Sequence, residues 1–427
     1  MQNNILLPEE VRERLQVVVV GGDILAYSYV RELHRAYGIE NTIVLATKDV
    51  KMLSSSRFSD YRISPNIHSK QGLYDALKGV AESEHAKNPA TVLLVLGCDD
   101  CHARMLSSLK PELEQLGFVV PYIDFALLDD ITQKKRFYEI CDELEIPYPK
   151  TWYFNCESGS EKIDASQFTF PLIVKPSNSA QFQDAAETIE GWRKIYEIET
   201  PEELQRAWQS IRKSSYNNTL VVQEFIPGGD DAIFTLTTFS NSDGQLKAVS
   251  GGQVCLQDHD PTALGNPLCI LGAQKNEIIE AAKRFLQHTK YCGFANFDIK
   301  YDARSGCYCF FEVNTRAGRN TYYMSLGGKN FCELIIEHFV LQKSIEEVYA
   351  YKPFVYCCVP PYVLKRSIPK VQLLQEIMGV MHKTEQPYPL HYSADTFMHN
   401  IWATIMYVNQ IRKFKRFYWD TGGKQLK

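Results

Sequence analysis

Apolar residues along the chain fall into two rhythms. Short continuous runs at QVVVV (16–20), TIVLAT (42–47) and TVLLVLG (91–97) read as buried strands. Between them the spacing is helical, first through Tyr27, Val30 and Leu33, then around Leu73 to Ala81. Strands separated by helices predict a parallel sheet with helical crossovers. Ligands of such sheets sit beyond the carboxyl ends of the strands. Gly21, Gly22 and Asp23 lie at one such end, and Gly97, Asp99 and Asp100 at another. The Gly-Gly turn does not complete a GxGxxG fingerprint, so the pattern gives only weak support to a dinucleotide site.

A helix is predicted from about Asp130 to Leu144, stopped by the prolines of IPYP (146–149). Strands follow at TWYF (151–154), PLIVKP (171–176) and RKIYEIE (193–199). Thr200 caps a helix opened by Pro201, Glu202 and Glu203 and running to about Ser214. LVVQEFI (220–226) is a strand ending at Pro227-Gly228-Gly229, and NSDG (241–244) is a hairpin turn. A helix over about Asn276 to Lys290 precedes two strands that flank DARSG (302–306). Beyond Gln342 the pattern changes. FVYCCVPPYVL (354–364) reads as strand and loop, and Thr396 to Phe417 as a helix with Phe397, Ile401, Ile405 and Val408 on one face. Arg412, Lys413, Lys415 and Arg416 close that helix, where cations suit the dipole; contact with a nucleotide or lipid phosphate is the functional alternative.

The chain has 427 residues, enough for two to four packed units. A net charge of -5 argues against a nucleic-acid partner. The apolar runs are too short to span a membrane. MQNNILLPEEVRERL carries acidic residues where a signal peptide needs a basic and then an apolar stretch, so the expected location is cytoplasmic. There are 12 cysteines. Cys98 and Cys101 form a CxxC followed by His102, but no second such pair completes a zinc site, and the reading is a reduced structural pair.

The chemistry concentrates in ANFDIKYDARSGCYCFFEVNTRAGRN (295–320). Alternation puts Asn296, Asp298 and Lys300 on one face of the first strand, and Glu312 and Asn314 on one face of the second. A turn centred on Ser305 sets Asp298 opposite Glu312, with Cβ atoms about 4.5–5.5 Å apart. Like charges so close, among aromatic neighbours, call for a divalent cation. Two carboxylates and an amide oxygen are hard ligands that suit magnesium rather than zinc. Arg316 follows two residues on, placed for a phosphate or an acyl phosphate.

FDIKYD (297–302) followed by FFEVNTR (310–316) resembles the metal-binding hairpin of the ATP-grasp ligases. The resemblance implies an α/β fold: a Rossmann-like domain over 1–125, a small ATP-grasp subdomain over 126–225, a large one with the metal site over 226–345, and a C-terminal extension over 346–427 packed on the core. It implies ATP and magnesium as cofactors, two ions being expected and manganese a substitute. Asp298, Glu312 and Asn314 would be the metal ligands, and Arg316 and Lys175 the catalytic residues. Lys134 and Lys175 match the family's two ATP lysines, and Lys175 would contact the α/β-phosphates. QEFIPGGDD (223–231) is similar to the adenine hinge: Gln223, Glu224, Phe225 and Ile226 would face the base, and Asp230 or Asp231 the ribose. In one respect the chain departs from the family. The stretch 177–192, where many members carry a glycine-rich loop, has one glycine, Gly191; Ser177, Asn178 and Ser179 can donate hydrogen bonds in its place.

Within the superfamily, GGDILAYSYVRELHRAYG (21–38), GCDD (97–100), KKRFYEICDELEIPYPKTW (134–152) and NTRAGRNTYYMSLGGKN (314–330) resemble the carboxylate–amine ligases typified by D-aspartate ligase. That resemblance implies an acyl phosphate made from an amino acid, then attack by an amine. The expected partners are aspartate and the lysine side chain of a UDP-linked muramyl peptide. Gly22, Asp23, Asp100 and Arg319 are the candidate substrate residues. Rival readings are a ligase of another amino acid or small dipeptide, a bicarbonate-using carboxylase, and a nucleotide-binding module without catalysis.

Overall fold

The computed structural model describes residues 8–157, 162–177, 179–193, 195–260 and 263–420. Asn178, one of the three expected loop donors, lies outside the described residues, as does the side chain of Ser179. The chain separates into two compact units. The first holds Met1–Thr132, Gly229–Ile299 and Glu312–Lys427; the second holds Gln133–Gly228 and Lys300–Phe311.

The first unit opens with a five-stranded parallel sheet: β1 (Leu15–Val20), β2 (Thr42–Ala46), β3 (Ser59–Ile63), β4 (Val92–Gly97) and β5 (Phe118–Val119), in the order β3-β2-β1-β4-β5. Both faces of β1, β2 and β4 are buried, which explains why these strands read as unbroken apolar runs, whereas the edge strand β3 is half-exposed. Val17, Val19, Leu94 and Leu96 pack on one side with Leu25, Val30 and Leu33 of the helix Ile24–Tyr37. Val18, Val20, Leu93 and Val95 pack on the other with Leu73 and Leu77 of Lys70–Lys87 and Leu106 of Asp100–Ser108. Val20 and Gly97 are register partners, so the ends of β1 and β4 lie side by side where the strand order reverses.

The second unit carries β6 (Thr151–Asn155), β7 (Leu172–Pro176), β8 (Tyr196–Ile198) and β9 (Thr219–Glu224), in the antiparallel order β6-β9-β7-β8. Its core centres on Trp208, with Leu172, Val174, Leu220 and Val222. The helix expected from Asp130 to Leu144 is two helices, Phe125–Thr132 and Lys134–Glu143. The break falls at Gln133, whose extended backbone caps the second. The strand expected over 193–199 pairs only through β8, and Lys194 lies outside the described residues.

The remaining strands form a seven-stranded sheet: β10 (Ile233–Ser240), β11 (Leu246–Gln257), β12 (Pro267–Gly272), β13 (Gly293–Asp302), β14 (Cys307–Asn314), β15 (Val348–Tyr349) and β16 (Val355–Cys357). Its order is β14-β13-β10-β11-β12-β16, with β15 beside β11.

The C-terminal segment is tied into the first unit by buried polar groups. Arg31 donates to the carbonyls of Tyr388, Pro389 and His391, to Tyr322 Oη (2.6 Å) and to Gln386 Oε1 (2.6 Å). Asp395 accepts from Tyr27 Oη, Ser56 Oγ and the Arg57 N–H. These bonds leave few of the buried atoms wanting a partner, which is what makes such a charged staple tolerable. The helix Phe397–Phe414 buries His399, Ala403 and Phe414. The face shared by Phe397, Ile405 and Val408 points outward, because periodicity identifies an apolar face but not what covers it.

Candidate active site

In the first unit the acidic residues of β13 and β14 lie within reach of the charge of Arg316. Asn314 Nδ2 donates to Asp298 Oδ2 (3.1 Å) and to the carbonyl of Asn296 (3.4 Å). The amide nitrogen is thereby used inward, and the amide oxygen remains for a cation. Burial, and then the charge of Glu312, push the Asp298 carboxyl up to about 7, while the Asn314 bond and Arg316 pull the other way. Two carboxylates in such a like-charge conflict could hold a divalent cation between them.

Arg316 donates from Nη2 to Asp100 Oδ2 (2.8 Å) and from Nη1 to the carbonyl of Ala317, and its buried Nε has no partner among the described residues. Burial opposes its charge, but Asp100, Asp23 and Asp298 outweigh this and raise its pKa. Asp23 caps the helix Ile24–Tyr37, its Oδ1 accepting from the Leu25 and Ala26 N–H groups. Burial raises the Asp23 carboxyl, and Arg319, the two backbone bonds and Arg316 moderate the rise. Gly21 and Gly22 turn the chain from β1 into this cap. At Gly21 φ is +132°, and a Cβ would lie 2.6 Å from the Cβ of Cys98. Arg319 lines a cavity of about 440 Å³ with Ile24, Cys358, Tyr388, Tyr407 and Gln410. Arg319 Nη1 and Gln410 Oε1 are both buried there without partners among the described residues.

A polar network under the hairpin was not foreseen. Asn296 Oδ1 accepts from Thr237 Oγ1 (2.9 Å) and Thr235 Oγ1 (3.3 Å). Thr237 Oγ1 also meets Tyr323 Oη at 2.5 Å. Gly318 sits against that amide: a Cβ there would lie 2.6 Å from Asn296 Oδ1. The tight approach sets the path of the loop that carries Arg316 and Arg319. Alternating threonines in β10 were the available sequence signal, and they read only as strand.

Asp230 and Asp231 follow Gly229 in the first unit. Asp230 Oδ2 accepts from the Gln257 N–H (2.8 Å) and lies 3.5 Å from His259 Nε2. Asp231 pairs with Lys370, and its carbonyl accepts from Gln253 Nε2.

In the second unit Lys175, on β7, donates to Gln223 Oε1 (3.0 Å) on β9. Gln223 Nε2 donates to Tyr138 Oη (2.9 Å) and Thr151 Oγ1 (2.8 Å), and Tyr138 Oη donates to the carbonyl of Phe311 (3.0 Å). With its side chain 2% exposed, Gln223 orients Lys175 and presents none of its amide outward. Glu224 accepts from Arg304 Nη1 (3.1 Å), and Arg304 also brackets Asp302. The N–H groups of Glu224 and Phe225 are bonded to the carbonyls of Lys150 and Pro171. Ile226 is buried, and the Phe225 ring lies 5.2 Å from Lys300 Nζ. Lys134 opens the helix Lys134–Glu143, and Ser177 Oγ donates to Asn218 Oδ1. Arg304, expected only as part of a turn, is the residue sequence reasoning missed here.

Known structures show where this architecture recurs. An L-amino acid ligase from Bacillus licheniformis superposes with a TM-score of 0.51 at 15% identity, covering 77% of this chain and 74% of that one. An ADP complex of N5-carboxyaminoimidazole ribonucleotide synthetase superposes with a TM-score of 0.56 at 13% identity, covering 88% of each. The fold is therefore that of the ATP-grasp enzymes.

Among curated proteins, the chain is 30% identical to D-aspartate ligase of Enterococcus faecium (strain Aus0004) over 332 residues, 77% of this chain and 78% of that protein. It is 22% identical to the arginine-specific large chain of carbamoyl phosphate synthase from Halalkalibacterium halodurans over 331 residues, 74% of this chain but 28% of that protein. A comparison against protein-family models returns no match. The chain belongs to the D-aspartate ligase group of ATP-dependent carboxylate–amine ligases.

Proposed function

We propose that the protein activates aspartate, as the D-isomer, and joins it to the lysine side chain of a UDP-linked muramyl peptide in the cytoplasm, a step of peptidoglycan synthesis. The observation that carries this reading is the 30% identity to D-aspartate ligase along most of both chains.

Asp298, Glu312 and the Asn314 amide oxygen form a hard donor set, and the raised Asp298 carboxyl marks the charge conflict a cation relieves. When bound there, magnesium, as one ion or two and with manganese as a substitute, neutralises phosphate charge during transfer. Lys134 and Lys175 bind phosphate oxygens, with Lys175 aimed by Gln223. The backbone of Glu224, Phe225 and Ile226 borders the base, and Asp230 or Asp231 takes the ribose hydroxyls.

The carboxylate oxygen of the amino acid attacks the γ-phosphorus, the bond to ADP breaks, and an acyl phosphate forms. Arg316, held by Asp100, stabilises the charge on that group. The amine, once deprotonated, attacks the acyl carbon and phosphate departs. Arg319, with its unpartnered Nη1 in the cavity, takes the second carboxylate of aspartate. Gly22, Asp23 and Asp100 complete the amino-acid side of the site.

The apolar lining of that cavity, with Ile24 and Cys358, favours one second reading: a ligase of a larger, apolar amino acid or of a small dipeptide. ADP release across D- and L-amino acids, with and without UDP-linked muramyl pentapeptide, separates the two. Release with D-aspartate, raised by the muramyl peptide, is the expected result. Release only with apolar amino acids would transfer the assignment to the second reading.

A further inference from the structure

The helix Phe397–Phe414 leaves an apolar face in solvent. Phe397 is 81% exposed, Met398 53%, Ile405 48% and Val408 51%. The helix is not free to roll and bury them. His399, on the opposite side, bonds through Nδ1 to the carbonyl of Met52 (2.7 Å) and through Nε2 to that of Leu390 (2.8 Å). Thr396 caps the helix and donates to the carbonyl of Ser55. A contiguous apolar face fixed outward marks a contact surface.

Charge says what kind of contact. From 397 to 419 the sequence contains no Asp or Glu and four basic residues, in a chain whose net charge is -5. Lys413 turns back to Asp258 (2.9 Å) and Asp260 (3.3 Å). Arg412, Lys415 and Arg416 are exposed, and no ion pair holds them among the described residues. Next to them Trp419 donates to Ser367 Oγ, stacks under Arg366 at 4.3 Å and meets the exposed Tyr362 edge-on. Apolar side chains along a helix, with cations and aromatic rings at one end, are the pattern of helices that lie in a lipid interface. A second copy of the chain would bring no acidic group from this same face to answer the cations. No described helix is long and apolar enough to cross a membrane, so the contact lies along a surface.

We propose that this face docks the protein on an anionic lipid bilayer. Phe397, Met398, Ile405 and Val408 enter the boundary between headgroups and acyl chains, and Arg412, Lys415 and Arg416 meet lipid phosphates. This goes beyond the ligase reading and does not depend on which substrates are joined.

The test is co-sedimentation of the full chain with phosphatidylcholine vesicles, pure or mixed with phosphatidylglycerol. The expected result is binding to the mixed vesicles that weakens with salt. Replacing Arg412, Lys415 and Arg416 together by Gln should weaken it roughly 100-fold, the sum of three charges at about 1 kcal/mol each. Phe397→Ser, Ile405→Ser and Val408→Ser together should abolish binding while an unchanged melting temperature shows the fold intact. Wild-type protein that ignores anionic vesicles overturns the proposal. So does binding that survives both sets of substitutions. A dimer in solution that the serine substitutions convert to monomer, without vesicle binding, would assign the face to a second copy instead.

Discussion

The two units each hold charged side chains in fixed places, and they do so in opposite ways. In the first, burial and then the charge of Glu312 push the Asp298 carboxyl up to about 7, a conflict between two like charges. In the second, Lys175 donates to Gln223, which donates in turn to Tyr138 and Thr151, and Tyr138 passes the chain of bonds to the Phe311 carbonyl. A metal site gains affinity from repulsion held in the empty protein. A lysine that donates to a buried amide gains a fixed direction.

The largest test of this contrast removes one side of the conflict. Glu312→Gln should lower ADP formation by roughly 100- to 1,000-fold at any magnesium concentration, because transition-state charge loses its partner. On the other side, Lys175→Met should lower kcat/KM for ATP by about 10- to 100-fold, the worth of a hydrogen bond to a charged group. Gln223→Met should reproduce part of that loss and also destabilise the fold by about 1–3 kcal/mol, since Tyr138 and Thr151 lose a buried partner. The double variant should be less impaired than the two losses combined if Gln223 acts through Lys175. Steady-state kinetics and thermal melts of the three proteins decide this.

The conflict also has a pH signature. Asp298 is raised from an ordinary carboxylate value, so its protonated form favours folding. That contribution is present below about pH 4 and is lost as the pH rises through about 7 in the metal-free protein. Magnesium must displace the proton below that value, so its affinity should fall as the pH drops through about 7. The rise in melting temperature caused by magnesium should be larger near about pH 8 than near about pH 6. Equal rises would mean that Asp298 is not a ligand. The smallest effect concerns Arg304. Its pairs with Glu224 and Asp302 are partly exposed, and Arg304→Gln should cost at most about 1 kcal/mol in a denaturant titration.

The hairpin could be read from sequence because strand alternation fixes which side chains share a face, and EVNTR places an arginine beyond two carboxylates. Lys175 could be read because it ends an apolar strand run. What could not be read depends on distant partners. Gln223 sits within the hinge-like stretch, yet its side chain turns to Lys175 across two paired strands. Thr235 and Thr237 carry strand propensity whether or not an asparagine lies opposite. Phe397, Ile405 and Val408 share a helical face in any structure, and it takes the bonds of His399 to Met52 and Leu390 and of Thr396 to Ser55 to fix that face outward.

The buried guanidinium of Arg31 has a bearing on modularity. Five of its acceptors lie on Tyr322 and on the stretch from Gln386 to His391, far along the chain from its own helix. Trimming the chain before residue 386 would remove four of those acceptors and leave the buried cation with Tyr322 and Glu32 alone among these partners. The parallel sheet is thus no interchangeable cassette: in a chimaera, the opening helix and the closing segment would have to be exchanged as a pair.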